Sequence, residues 1–177
     1  AKNAHAGQKR YSGEAYIVHP VEVARILLGL NPDLPALQAA LLAVKLPHLE
    51  SWLKQREQVA SRYLDGFKTL EDSIALPPSA KGGTDRHTYN QFVIRLRDGA
   101  RRDALQQKLS AQGIATAVYY PKPLHLQPCF ADCGLIEGAL PVCENASRTT
   151  LALPIFPGMT AEEQNTVIAA VTSGIRA

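Results

Sequence analysis

The sequence predicts an α+β fold: a small two-layer domain with a three-stranded, mostly antiparallel sheet and packed helices, preceded by a helical N-terminal segment. Three observations carry this expectation. Three β-rich runs, His87–Leu96, Thr116–Tyr120 and Thr150–Leu153, alternate with runs of helical periodicity. The helical runs carry their own punctuation, with Gly113 after one and Thr160-x-x-Glu163 before another. Finally, 177 residues with 46% hydrophobic side chains are enough for one good core, or for one domain with an appended helical piece. Internal repeats are absent.

Residues 2–10 are polar and suit the end of a helix, and Tyr11-Ser12-Gly13-Glu14 reads as a turn. His19-Pro20 opens a helix, because proline in a first turn lacks only a donor that has no partner there anyway. Val21, Val23, Ala24, Ile26, Leu27 and Leu28 give that helix a broad apolar face, and Gly29 stops it. Asn31-Pro32-Asp33-Leu34-Pro35 reads as a linker, so the boundary falls between 1–30 and 31–177. A long helical pattern follows through Leu37, Ala40, Leu41, Val44, Leu49, Trp52 and Leu53. Pro47 interrupts it, since it cannot donate to residue 43. His48–Tyr63 is amphipathic and Gly66 ends it. Residues 68–86 read as loop, with Leu76-Pro77-Pro78 and Lys81-Gly82-Gly83-Thr84-Asp85 as their signals. Beyond the first β-rich run, Arg102–Ala111 is a helix with Leu105 and Leu109 on one side. Pro141–Thr149 is a helix with proline in its first turn, and Pro154 stops the strand after it. The last helix presents Val167, Ile168 and Val171, capped by Thr160 and Glu163.

Composition excludes several classes. Net charge is only +3, with Lys and Arg scattered among acids, so no nucleic-acid partner is expected. No uncharged apolar run approaches a membrane span, and no signal-peptide pattern is present, so a cytoplasmic protein is expected. Cys129, Cys133 and Cys143 are an odd number without zinc-site spacing and read as reduced, partly buried thiols.

The first 28 residues carry Ala4-His5-Ala6-Gly7-Gln8, Ser12-Gly13-Glu14, Tyr16-Ile17-Val18-His19-Pro20 and Glu22-Val23-Ala24-Arg25-Ile26-Leu27. This text resembles the start of the HD hydrolase domain of RelA/SpoT proteins. The resemblance implies a metal-ligand role for His19 and nucleotide contacts for Lys9 or Arg10. The His-Asp ligand run of that family is replaced here by Ala40-Leu41-Leu42-Ala43-Val44, which has no side-chain lone pair for a cation. A degenerate guanosine-nucleotide or metal-binding module is the corresponding expectation.

From about residue 29 onward the pieces are different: Leu37-Gln38-Ala39-Ala40-Leu41-Leu42, Val44-Lys45-Leu46-Pro47-His48-Leu49, Tyr89-Asn90-Gln91-Phe92-Val93-Ile94-Arg95, Tyr119-Tyr120-Pro121, Pro123-Leu124-His125-Leu126-Gln127-Pro128 and Leu153-Pro154-Ile155-Phe156-Pro157-Gly158-Met159-Thr160. These resemble the C-terminal region of the DegT/DnrJ/EryC1/StrS family, pyridoxal-phosphate (PLP) enzymes that are mostly sugar aminotransferases. The resemblance implies that Asn31 helps hold the cofactor phosphate across a dimer interface, with Asp33 standing where the family has arginine. It implies that Tyr120 and His125 approach the sugar-nucleotide side of the site. Lys45 matches no Schiff-base lysine, and Lys81-Gly82-Gly83-Thr84 is too short for a triphosphate loop. No catalytic residue is therefore named. The leading expectation is a non-catalytic remnant or chimera built on an aminotransferase small domain. It holds no cofactor as an isolated chain, and PLP only where it completes an aminotransferase site. The alternative is a partial subunit of a nucleotide-sugar aminotransferase, active only in an oligomer. A homo-oligomer or a large-domain partner follows from the apolar surface such a domain exposes alone.

Overall fold

A computed structural model describes residues 34–78 and 87–176. Lys9, Arg10, His19, Asn31 and Asp33, with the expectations placed on them, lie outside these residues. The fold divides into two units after Leu49.

In the first unit, helix α1 (Leu34–Lys45) gives way to a 3-10 turn, Leu46–His48. Pro47 sits in that turn, as its missing N–H requires, and a new helix starts at Leu49. Leu41, Leu42, Val44 and Leu46 are exposed.

The second unit holds the rest of helix α2 (Leu49–Gly66), strand β1 (Ile74–Ala75), strand β2 (Phe92–Leu96), helix α3 (Ala100–Ala111), helix α4 (Pro141–Thr149), strand β3 (Thr150–Leu153) and helix α5 (Ala161–Arg176). The sheet order is β1-β2-β3, antiparallel at both junctions, with Phe92 opposite Leu153 and Ile94 opposite Leu151. The expected α+β class and three-stranded antiparallel sheet are present. One strand differs. Thr116–Tyr120 makes only a bridge, Ala117 to Ala152, and the third strand is Ile74–Ala75, inside a run read as loop. Pro121 and Pro123 explain the first difference, because neither can donate to a ladder. The second is too short to show a period.

Alternation along β2 sorts the sheet into two faces. Phe92, Ile94 and Leu96 are buried, while Val93 and Arg95 are not. The buried face packs on Tyr63, Phe67, Leu105, Leu109 and Val171. Tyr63 anchors the centre. Its ring meets Phe92 edge-on at 5.1 Å and Phe67 at 5.7 Å, and its hydroxyl donates to the Pro154 carbonyl at 2.9 Å. α5 begins with the expected capping box: the Glu163 N–H donates to Thr160 Oγ1 and the Thr160 N–H donates to the Glu163 carboxylate, which holds that carboxyl below its usual range. Gly113 ends α3 at φ 75°, a left-handed position that glycine adopts without strain. Glycine at 174 lets α5 approach α3, since a Cβ there would lie 2.5 Å from Leu105 Cδ1.

Arg56 closes the unit at the other end. Its Nη1 donates to the carbonyls of Tyr89, Asn90 and Ile155 at 3.0–3.2 Å. It thereby joins the approach to β2 to the exit from β3. Tyr89 is held at φ 45°, and the tie to Arg56 helps offset that strain.

Candidate functional site

The face of the sheet opposite the core floors an open groove of about 530 Å³. Gln91, Val93, Thr150 and Ala152 come from β2, β3 and the residue before β2. They line it because period-two alternation points them away from Phe92, Ile94 and Leu151. Cys143, Ala146 and Ser147 of α4 form one wall, and Tyr119, Tyr120, Pro123 and Leu124 form the other. Tyr120 is 74% exposed and Tyr119 51%, an unusual presentation for two adjacent aromatic rings.

A buried hydrogen-bonded pair ties the loop that carries Leu124 to α4. His125 Nε2 lies 3.1 Å from Glu144 Oε1, and both side chains are almost wholly buried. The Glu144 carboxylate also accepts from the backbone N–H groups of Gly138 and Leu140 at 2.9–3.1 Å. These backbone donors, above all Gly138, and the adjacent His125 hold the Glu144 carboxyl below the ordinary carboxylate range despite burial. The ionised acid accepts only, so His125 Nε2 carries the proton that bridges them. The pair ties the loop of His125 to the start of α4, 19 residues on in sequence.

Of the residues singled out from sequence, the structure places Tyr120 on the groove. His125 is set behind it, 7% exposed and held by Glu144, rather than on its surface. Glu144 was not singled out. An acid in a helix's first turn has an ordinary reading as a dipole partner, so nothing local marks it as buried. The three cysteines are free and exposed rather than partly buried. Among the described residues no group of histidines, cysteines and acids is arranged to hold a metal, and no helix is long and apolar enough to cross a membrane.

A groove with aromatic and apolar walls, polar tips and no charged lining residue is suited to holding a planar or sugar-like ligand. The fold is that of a small α+β domain with an open groove on the outer face of its sheet. Residues 3–172 match the DegT/DnrJ/EryC1/StrS aminotransferase family, and the chain belongs to it. It is 43% identical over 142 residues to a pleiotropic regulatory protein of Geobacillus stearothermophilus, covering 80% of this chain and 37% of that one. It is 40% identical over 143 residues to a dTDP-3-amino-3,4,6-trideoxy-alpha-D-glucose transaminase of Streptomyces venezuelae, covering 81% of this chain and 36% of that one. The crystal structure of S. venezuelae DesV in complex with a ketimine intermediate superposes with a TM-score of 0.72 at 36% identity, over 79% of this chain and 36% of that one. The chain thus spans well under half the length of these relatives.

The match corrects the reading of the first 28 residues. It starts at residue 3 and runs on without a break, so the chain is one family segment and not a chimera with a RelA/SpoT fragment. The likeness to the hydrolase lay in short stretches such as His19-Pro20 followed by an apolar helical run, a pattern that suits any proline-opened helix. The grounds for metal binding at His19 and nucleotide contacts at Lys9 and Arg10 fall with it.

The family implies pyridoxal phosphate, which needs a lysine amine and phosphate donors. The groove is lined by neither lysine nor arginine. Its residues do not fit the cofactor's own anchor.

Proposed function

We propose that this chain acts as one part of a PLP-dependent nucleotide-sugar aminotransferase, forming the substrate-side wall while a complementary large domain supplies the cofactor lysine and phosphate cradle. The groove carries this reading: two exposed tyrosines over the outer face of the sheet, beside a loop tied to α4 by the buried His125–Glu144 pair. Family membership supports the reaction class, and the S. venezuelae transaminase supports a nucleotide-linked sugar as substrate. In such an assembly Tyr120 packs on the sugar or base, and His125 sets the position of the loop that carries it. Exposed Leu135, Ile136, Leu140 and Val142 provide an apolar surface for the partner. The isolated chain then has no transaminase activity of its own.

The test mixes the chain with a purified large domain of a family aminotransferase. Light scattering reports complex formation, and amine transfer to a keto-sugar nucleotide reports activity. Activity that appears only in the complex, and whose KM rises for Tyr120→Ala while kcat is kept, supports the proposal. Absence of any complex contradicts it.

A further inference from the structure

Cys143 stands where the groove wall meets the buried His125–Glu144 pair. Its Sγ is 3.9 Å from His125 Nδ1, and it lines the groove. The geometry has a direction. Glu144 accepts from His125 Nε2–H, so in the neutral ring the lone pair sits on Nδ1, which faces the thiol. Gly138 and Leu140 keep the carboxylate in place, so the tautomer is fixed from behind. A nucleophile, a base and an acid that orients the base make the arrangement that activates a hydroxyl or thiol in acyl-transfer enzymes. Cys129 and Cys133 are exposed as well, but among the described residues no histidine nitrogen faces them.

We propose that Cys143 is a histidine-activated thiol and the site at which this chain undergoes exchange with low-molecular-weight disulfides. The thiol proton passes to His125 Nδ1, and the thiolate attacks one sulfur of the disulfide. The protein–ligand S–S bond forms as the original S–S bond breaks. The departing thiolate then takes the proton from His125. Oxidant and reductant balance, since the incoming disulfide is reduced by one thiol and the protein thiol is oxidised. The attached group occupies the groove beside Tyr119, Tyr120 and Leu124, so modification and ligand binding there exclude one another. The reactivity itself does not depend on the aminotransferase reading.

The test treats the full chain with glutathione disulfide and follows each cysteine by peptide mass mapping. Because His125 Nδ1 stands ready to accept the thiol proton as the sulfur attacks, Cys143 is expected to react about tenfold faster than Cys129 or Cys133. His125→Asn and Glu144→Gln should bring Cys143 down to the rate of the other two without changing theirs. In the unsubstituted chain, equal rates at all three cysteines overturn the proposal.

Discussion

Replacing Tyr63 with phenylalanine removes one hydroxyl at the centre of the domain, with its bond to the Pro154 carbonyl and a weaker one to Met159 Sδ at 3.6 Å. The ring keeps its contacts with Phe67 and Phe92, while the donor to the Pro154 carbonyl at 2.9 Å is lost. Net loss of such a bond, with the acceptor left poorly satisfied, costs about 1.5 kcal/mol. For a unit of this size that lowers Tm by ~5 °C. Burial of the phenol, reinforced by the Glu163 carboxylate, pushes its pKa well above the usual tyrosine value. The sign follows from linkage. The unfolded chain releases this proton above ~10 while the folded one retains it, so Tyr63 contributes stability below that pH and loses it as pH rises, by up to about 1.4 kcal/mol per unit. Phenylalanine has no proton to lose. The gap between the two proteins in urea unfolding followed by circular dichroism should be about 1.5 kcal/mol at neutral pH and close near pH ~11. A gap that stays constant, or widens, across that alkaline range refutes the argument.

Further substitutions test separate parts of the fold. Leu109→Ala empties a fully buried site between α3 and the sheet and should cost about 3 kcal/mol in denaturant unfolding. Thr160→Ala removes the cap of α5 and should cost about 1 kcal/mol by the same assay. The folded-state pKa of Glu144 is lowered, so its stabilising contribution is present above the ordinary carboxylate value and is lost as pH falls below it. Thermal melts of Glu144→Gln should accordingly depend less on pH than those of the parent between pH ~5 and ~3. An equally steep acid dependence in the variant would falsify the account in which ionised Glu144 ties down the His125 loop.

Much of the fold was legible because its signals are local. The Thr160–Glu163 box, the stop at Gly113, the break at Pro47 and the buried faces of Leu105 and Leu109 each depend on residues a turn or so apart. What was missed depends on partners far away in sequence. Ile74–Ala75 becomes a strand only because Leu96 and Arg95 stand beside it. Ala117 meets Ala152, but the prolines at 121 and 123 bar a longer ladder there. The candidate site shows the same division. Tyr120 and His125 were singled out through their motif, yet His125 is held by Glu144, whose burial no local pattern announces. Cys143 drew notice for its spacing to other cysteines, whereas its chemistry comes from a ring 18 residues away. The misreading at the N-terminus has the same root, since short local matches carry little information about the segment that contains them.

The central claim is that this chain supplies a substrate wall and not the cofactor's covalent anchor. Treatment with pyridoxal phosphate, borohydride reduction and peptide mapping tests it most directly, with and without the large-domain partner. The account predicts that the label settles on one lysine of the partner and on none of this chain's lysines above surface background. Stoichiometric label on a single lysine of this chain, together with turnover that disappears when that lysine is replaced, would contradict it.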